Sequence, residues 1–177
     1  MTPNFPPVWV DATGMYSALP SDGSVGDVMV GGEPFVLQGS EAATYCEKET
    51  ASPCPGTQAA GHRDMQARGN SDRTRVEFTL FTFRTAEEAA KAMKNLADQR
   101  RKKWAEEGAP AKPLTLNTDA DASDAMQDGD SIDVVMRIGA VVAYLDASGA
   151  SRDDVQYAAT VQIARVKSVS NGINPDR

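Results

Sequence analysis

The chain has 177 residues, 41% of them hydrophobic and 24% charged, enough for one domain with a core of its own. Its net charge of −7 argues against nucleic acid as a partner, because phosphate binding needs a basic face. One histidine and two cysteines remove most nucleophilic and metal chemistries, and no apolar run reaches the length of a membrane span.

Residues 1–8 read as a Pro-rich tether, 9–170 as a single domain and 171–177 as a loose polar tail. Met1 to Val10 carries no basic segment of the signal-peptide type. The chain is then either a cytosolic protein with reduced thiols or the mature part of an exported one, and the extended stretch Thr2–Pro7 favours export. Residues 9–72 are rich in Gly, Ser, Pro and Asp and read as largely irregular. Within them, Val28–Leu37 is expected to form a short hairpin turning at Gly31-Gly32, with Pro34 placing it at a sheet edge. Cys46 and Cys54 follow, with seven residues between them in a turn-rich stretch. That spacing and context predict a disulfide-closed loop, hence an oxidising compartment.

Regular structure begins at Arg75. Val76–Phe83 is aromatic and β-branched, the composition of a strand. Thr85-Ala-Glu-Glu88 is a capping-box pattern opening a helix that runs to about Glu107. Ala86, Ala89, Ala90, Met93, Leu96, Ala97 and Trp104 form its apolar stripe, and Gly108 and Pro110 end it. A short strand is expected at Leu114–Asn117, then an acidic loop, then strands Ile132–Ile138 and Val141–Leu145 joined by a type II′ turn at Gly139-Ala140. Ser151-Arg-Asp-Asp154 caps a last helix in which Val155, Ala158, Ala159, Ile163 and Val166 recur at helical spacing. The order predicts an α+β fold, a mostly antiparallel sheet with two helices packed on one face.

From Val76 onward these features resemble the PknH-like extracytoplasmic sensor domains and related actinobacterial secreted lipoproteins. The matching features are the strand Val76–Phe83 entering Thr85–Ala90, the helix closing on Trp104, the hairpin Val135–Val142 with Arg137 before the Gly139 turn, and the final helix Asp153–Val166. The resemblance covers roughly the C-terminal half. Relatives often place a further cysteine just after the helix-ending tryptophan, whereas Trp104 is followed by Ala-Glu-Glu. The likeness implies an exported, secreted or membrane-tethered domain that binds something in the cell envelope and brings no catalytic residues with it.

The residues themselves offer few alternatives. His62 is the only candidate base for a Ser or Cys nucleophile, no Gly-x-Ser-x-Gly elbow exists, and bridged cysteines hold no thiolate. Cys46, Cys54 and His62 lack the spacing of a structural zinc site. Asp119, Asp121, Ser123, Asp128 and Asp130 place oxygens as a twelve-residue calcium loop does, yet Asp124 stands where its sharp turn needs Gly; the competing reading is a solvated acidic loop. Arg100–Lys103 suits either an anionic surface or the dipole of a helix end. Trp9, Trp104 and Tyr144 are candidates to line a cleft, with Trp104 better placed for the core.

These observations point to a non-enzymatic extracytoplasmic ligand-binding or sensor domain, without cofactor, whose partner is an envelope ligand or protein and which meets the membrane only through a removed anchor. Loop length places the binding residues between Tyr16 and Asn70. A secreted inhibitor presenting the Cys46–Cys54 loop is the alternative. An enzyme using carboxylates as acid and base is a third, and it requires an Asp or Glu of raised pKa in a cleft.

Overall fold

A computed structural model of the chain describes residues 7–26, 29–68, 74–109 and 111–177. Helix α1 (Ala12–Ala18) is followed by strands β1 (Met29–Gly31) and β2 (Phe35–Gln38), helix α2 (Gly39–Thr50), and strands β3 (Thr57–Ala67) and β4 (Arg75–Phe83). Helix α3 (Ala86–Glu106), strands β5 (Lys112–Pro113), β6 (Ala122–Asp128), β7 (Ser131–Ile138) and β8 (Val141–Ser148), and helix α4 (Arg152–Ser170) complete it. The eight strands form one sheet in the order β1-β3-β4-β8-β7-β6-β5, with β2 also on β3, and every pairing is antiparallel. The fold is therefore α+β with an antiparallel sheet.

The helices do not share a face. Phe78, Leu80, Ile132, Val134, Met136, Val141, Ala143 and Leu145 pack with α1 and α4. The alternate residues Phe81, Phe83, Val135, Val142 and Tyr144 pack with α2 and α3. Side chains alternate along a strand, so these are opposite sides of the sheet. Covering both sides explains why β7 and β8 are apolar almost without interruption, a pattern that belongs to strands buried on both faces. Three charged residues break that pattern, Asp133, Arg137 and Asp146, and the two aspartates face each other across β7 and β8.

The strand Val76–Phe83, the tight Gly139-Ala140 turn and both long helices lie where the sequence places them. Gly139 has φ of +58°, and a Cβ there would stand 2.5 Å from the backbone N of Val8, so the turn needs glycine twice over. Thr85 Oγ1 accepts from Glu88 N, and Ser151 with Asp154 forms a complete capping box. The expected strand Leu114–Asn117 is displaced to Lys112–Pro113, while Leu114 and Leu116 tuck against the core.

The described residues of the N-terminal third form helices and strands where the sequence reads as largely irregular. β1 and β2 do not turn on each other. They follow one another along the outer edge of β3, pairing with 65–67 and 59–62, and residues 32–34 form the interruption. Arg63 fills the space beside Gly31, donating to the carbonyls of Gly32 and Pro20 and pairing with Asp22 at 2.9 Å, so the glycine makes room for a guanidinium and not for a turn. Val28 lies outside the described residues. Most of the tether does too, but Val8 is fastened, its carbonyl accepting from Ala140 N at 2.7 Å. The C-terminal residues return to the body. Arg165, 4% exposed, donates to the carbonyls of Ser17 and Leu19 and pairs with Asp176 at 2.9 Å.

Cys46 and Cys54 are joined by a disulfide. Cys46 lies in the last turns of α2 and is fully buried, and Cys54 precedes β3. The bond ties a helix end to the next strand and closes a chain reversal in which Ala51 takes a left-handed conformation, φ 54°. It does not hold out a projecting loop.

Candidate functional site

On the α2–α3 side, the two helices leave a strip of sheet open. The strip is built by register. His62 on β3 faces Thr79 on β4, which faces Tyr144 on β8. One row further along, Asp64, Glu77, Asp146 and Asp133 face one another in turn across β3, β4, β8 and β7. Tyr45 and Glu49 of α2 form one wall, Arg100 of α3 the other, and Phe35 of β2 the rim, enclosing about 310 Å3. That is at the small end of ligand-binding cavities.

The rim is aromatic. Phe35 stacks on His62 with ring centroids 5.3 Å apart and meets the edge of Tyr45 at 5.8 Å. Tyr45 in turn lies on Phe81 of the core. These contacts fix ring orientations while Phe35 stays 40% exposed. His62 Nδ1 lies 2.9 Å from Thr79 Oγ1, and its Nε2 is 3.7 Å from Glu77.

The floor is acidic and tightly engaged. Arg100 donates to Asp133 at 2.8 Å and places its guanidinium 5.5 Å from the centre of the Tyr144 ring. Asp133 is fully buried. Burial first, then the Asp146 carboxylate opposite, raise its pKa to about 7 despite the opposing pull of Arg100. Its Oδ1 has no donor among the described residues, and a hydrogen bond to Asp146 opposite forms when Asp133 carries a proton and donates it. Burial, with Asp146 and Asp64 nearby, also raises Glu77, against the pull of Arg75 and His62. Burial pushes the Tyr45 phenol up to about 12, with Glu49 adding to it. Tyr144 is raised as well, by burial first and then by Asp133 and Asp146. Tyr144, 6% exposed, lines the cleft, while its hydroxyl oxygen is buried and has no hydrogen-bond partner among the described residues. A buried polar group left in this state costs about 1–3 kcal/mol.

The residues singled out in the sequence scatter. Tyr144 is in the cleft. Trp104 is buried behind Arg100, beside a second hollow of about 200 Å3 that Arg100 and Asp146 share. Trp9 lies elsewhere, 40% exposed in a shallow hollow with Pro7, Gln58 and Arg84. Of the basic run, Arg100 turns inward and Arg101 pairs with Asp124, so two of the four cations are engaged within the fold. The zinc arrangement is ruled out by the disulfide.

The acidic segment is not a calcium loop. Ser123 and Asp128 belong to β6, Asp119 and Asp121 precede it, and Asp130 follows in a turn. An extended strand rises about 3.3 Å per residue and points neighbours to opposite sides, so Ser123 and Asp128 lie far apart on opposite faces of β6. Asp121 instead accepts from Gly139 N at 2.7 Å and lies 3.5 Å from Arg137. Among the described residues no group of three or more His, Cys, Asp or Glu could hold a metal.

Binding residues were expected between Tyr16 and Asn70, and Phe35, Tyr45, Glu49 and His62 come from that stretch. Glu77, Thr79, Arg100, Tyr144 and Asp146 do not. Of the second group Asp146 carries a legible signal, a charged residue inside a mostly apolar strand, as are Asp133 and Arg137 on β7.

No family model and no curated protein matches the chain. Among solved structures, the chain is similar to the extracellular domain of PknH from Mycobacterium tuberculosis, with TM-score 0.56, 14% identity, and coverage of 93% of this chain and 98% of that one. The likeness in fold to that domain extends over nearly the whole chain, beyond the C-terminal half that the sequence motifs reach.

Proposed function

We propose that this is a non-enzymatic extracytoplasmic binding or sensor domain whose ligand occupies the cleft over Tyr144. The observation that carries the reading is the Tyr144 hydroxyl, buried and unpartnered, at the floor of a cavity whose rim is aromatic and preformed. A ligand that supplies the missing hydrogen bond removes a cost the free protein bears. The disulfide supports an oxidising compartment. Similarity to an extracellular domain supports the same placement. An envelope lipoprotein or a membrane-tethered receptor is the parent these features fit, and its upstream coding sequence tests the anchor: a cysteine after small apolar residues marks a lipoprotein, a long apolar run a span.

The test is amide chemical-shift mapping of the 15N-labelled chain against a small-molecule library spanning cationic, neutral and anionic fragments. The reading expects hits to cluster on Tyr45, His62, Thr79 and Tyr144, and to weaken in Tyr144→Phe, which keeps the ring and removes the hydroxyl. Hits confined to the hollow beside Trp9, or none above background, overturn it.

One observation favours a second reading. A carboxyl raised by burial, Glu77, lines the cleft, as an acid–base enzyme requires. A substrate screen comparing wild type with Glu77→Gln decides this. Turnover abolished by the substitution makes the cleft catalytic, and no turnover in either leaves it a binding site.

A further inference from the structure

The charge of the cleft selects among ligands. Asp64, Glu77, Asp146 and Asp133 stand side by side on four neighbouring strands, and Glu49 adds a fifth carboxylate from α2. Like charges directly opposed in a sheet repel. Two guanidiniums answer them. Arg75 takes Asp64 at 2.5 Å and lies 3.5 Å from Glu77, and Arg100 takes Asp133 at 2.8 Å. Asp146 makes no ion pair among the described residues, although it lines the cleft. The second, independent feature is the Tyr144 hydroxyl, whose oxygen is free to accept beside it.

We infer that the cleft binds a small organic cation, a protonated amine or amidinium on an apolar stem, with its charge toward Asp146 and Glu77 and its stem against Phe35 and Tyr45. The inference rests on the cleft being the ligand site and adds the class of ligand. An ammonium donates to the Asp146 carboxylate and to the Tyr144 oxygen, meeting both unanswered acceptors at once. The Phe35 and Tyr45 rings supply an apolar and quadrupolar wall suited to a cation's stem. An anion meets the carboxylates of Glu49, Glu77 and Asp146, and the one guanidinium lining the cleft, Arg100, is already engaged with Asp133. A neutral polyol satisfies hydrogen bonds but leaves the excess charge unanswered.

Three isosteric probes separate these cases: benzylammonium, benzyl alcohol and benzoate, titrated at pH 7.5 and low salt by calorimetry with amide-shift mapping. The expected result is benzylammonium at the cleft at least tenfold tighter than benzyl alcohol, no benzoate binding, and weakening with added salt. Asp146→Asn lowers benzylammonium affinity about tenfold. Glu49→Gln, on the wall and outside the packed core, lowers it less and serves as a second variant. Benzyl alcohol binding as tightly as benzylammonium, or benzoate binding more tightly, overturns the cation class while leaving the cleft as the site. Benzylammonium shifting only amides outside the cleft, or none, overturns it too, and the library mapping then reports separately on the cleft.

Discussion

The facing pair Asp133–Asp146 makes a quantitative demand on stability. Folded Asp133 keeps its proton to about pH 7 against an ordinary 3.8, so the folded state binds more protons than the unfolded chain between those values. Through this group, stability is greatest below pH 4, falls as pH rises toward 7, and stays reduced above. Three pKa units correspond to about 4 kcal/mol. Burial accounts for the largest part and Asp146 for the next. Asp146→Asn removes the facing charge, keeps the Arg100–Asp133 pair and offers an amide N–H to the unpartnered Oδ1 of Asp133. At an effective dielectric near 20 or somewhat above, the repulsion so removed is about 1–2 kcal/mol. Urea unfolding of both proteins at pH 8 and pH 5 measures it. The variant is expected to be more stable than wild type by that amount at pH 8 and nearly equal at pH 5, where Asp133 is already protonated. Comparing the variant with wild type at each pH cancels contributions of groups that are the same in both, such as Asp22 and Asp176. A variant destabilised as much or more at pH 8 as at pH 5 refutes the argument.

Three further outcomes follow from the packing. Ala51→Gly removes the strain of a left-handed alanine at the end of α2 and raises stability by about 0.5–1 kcal/mol in chemical unfolding. Arg165→Met strips the donors from the end of α1 and from Asp176 and costs about 3 kcal/mol by the same measurement, because buried carbonyls lose their partners. Reduction of Cys46–Cys54 lowers stability by about 2.5 kcal/mol without abolishing the fold, and alkylation before reduction detects no free thiol in the intact mass.

How far the fold was legible follows from where its stabilisation lies. α3 carries its own stripe and N-cap, α4 its capping box, and the β7–β8 turn its glycine, so local chemistry alone announces them. β6 has no such signature. Ala122–Asp128 is small and acidic, and it is a strand because β7 offers it a partner along its whole length. α2 is similar: its polar sequence is held by Cys46 and Ala42 against the sheet, and the cysteine that suggested a loop is part of the helix. The apolar runs of β7 and β8, interrupted by charge only at Asp133, Arg137 and Asp146, imply cover on both sides and so a long helix on each face. The cleft is a product of register and has no local signature in the sequence. His62, Glu77, Arg100 and Tyr144 are far apart in sequence and meet only once β3, β4 and β8 align.

Fluorine NMR of the chain labelled with 3-fluorotyrosine tests the central claim with its own controls. Of the four tyrosines, Tyr45 and Tyr144 line the cleft, whereas Tyr16 and Tyr157 stand 55% and 53% exposed on helices of the opposite face. On titration with benzylammonium or a hit from the library, the account predicts that the Tyr45 and Tyr144 resonances move together and saturate while the other two stay fixed. Movement of Tyr16 or Tyr157 alone, or four unmoved lines under saturating ligand, contradicts it.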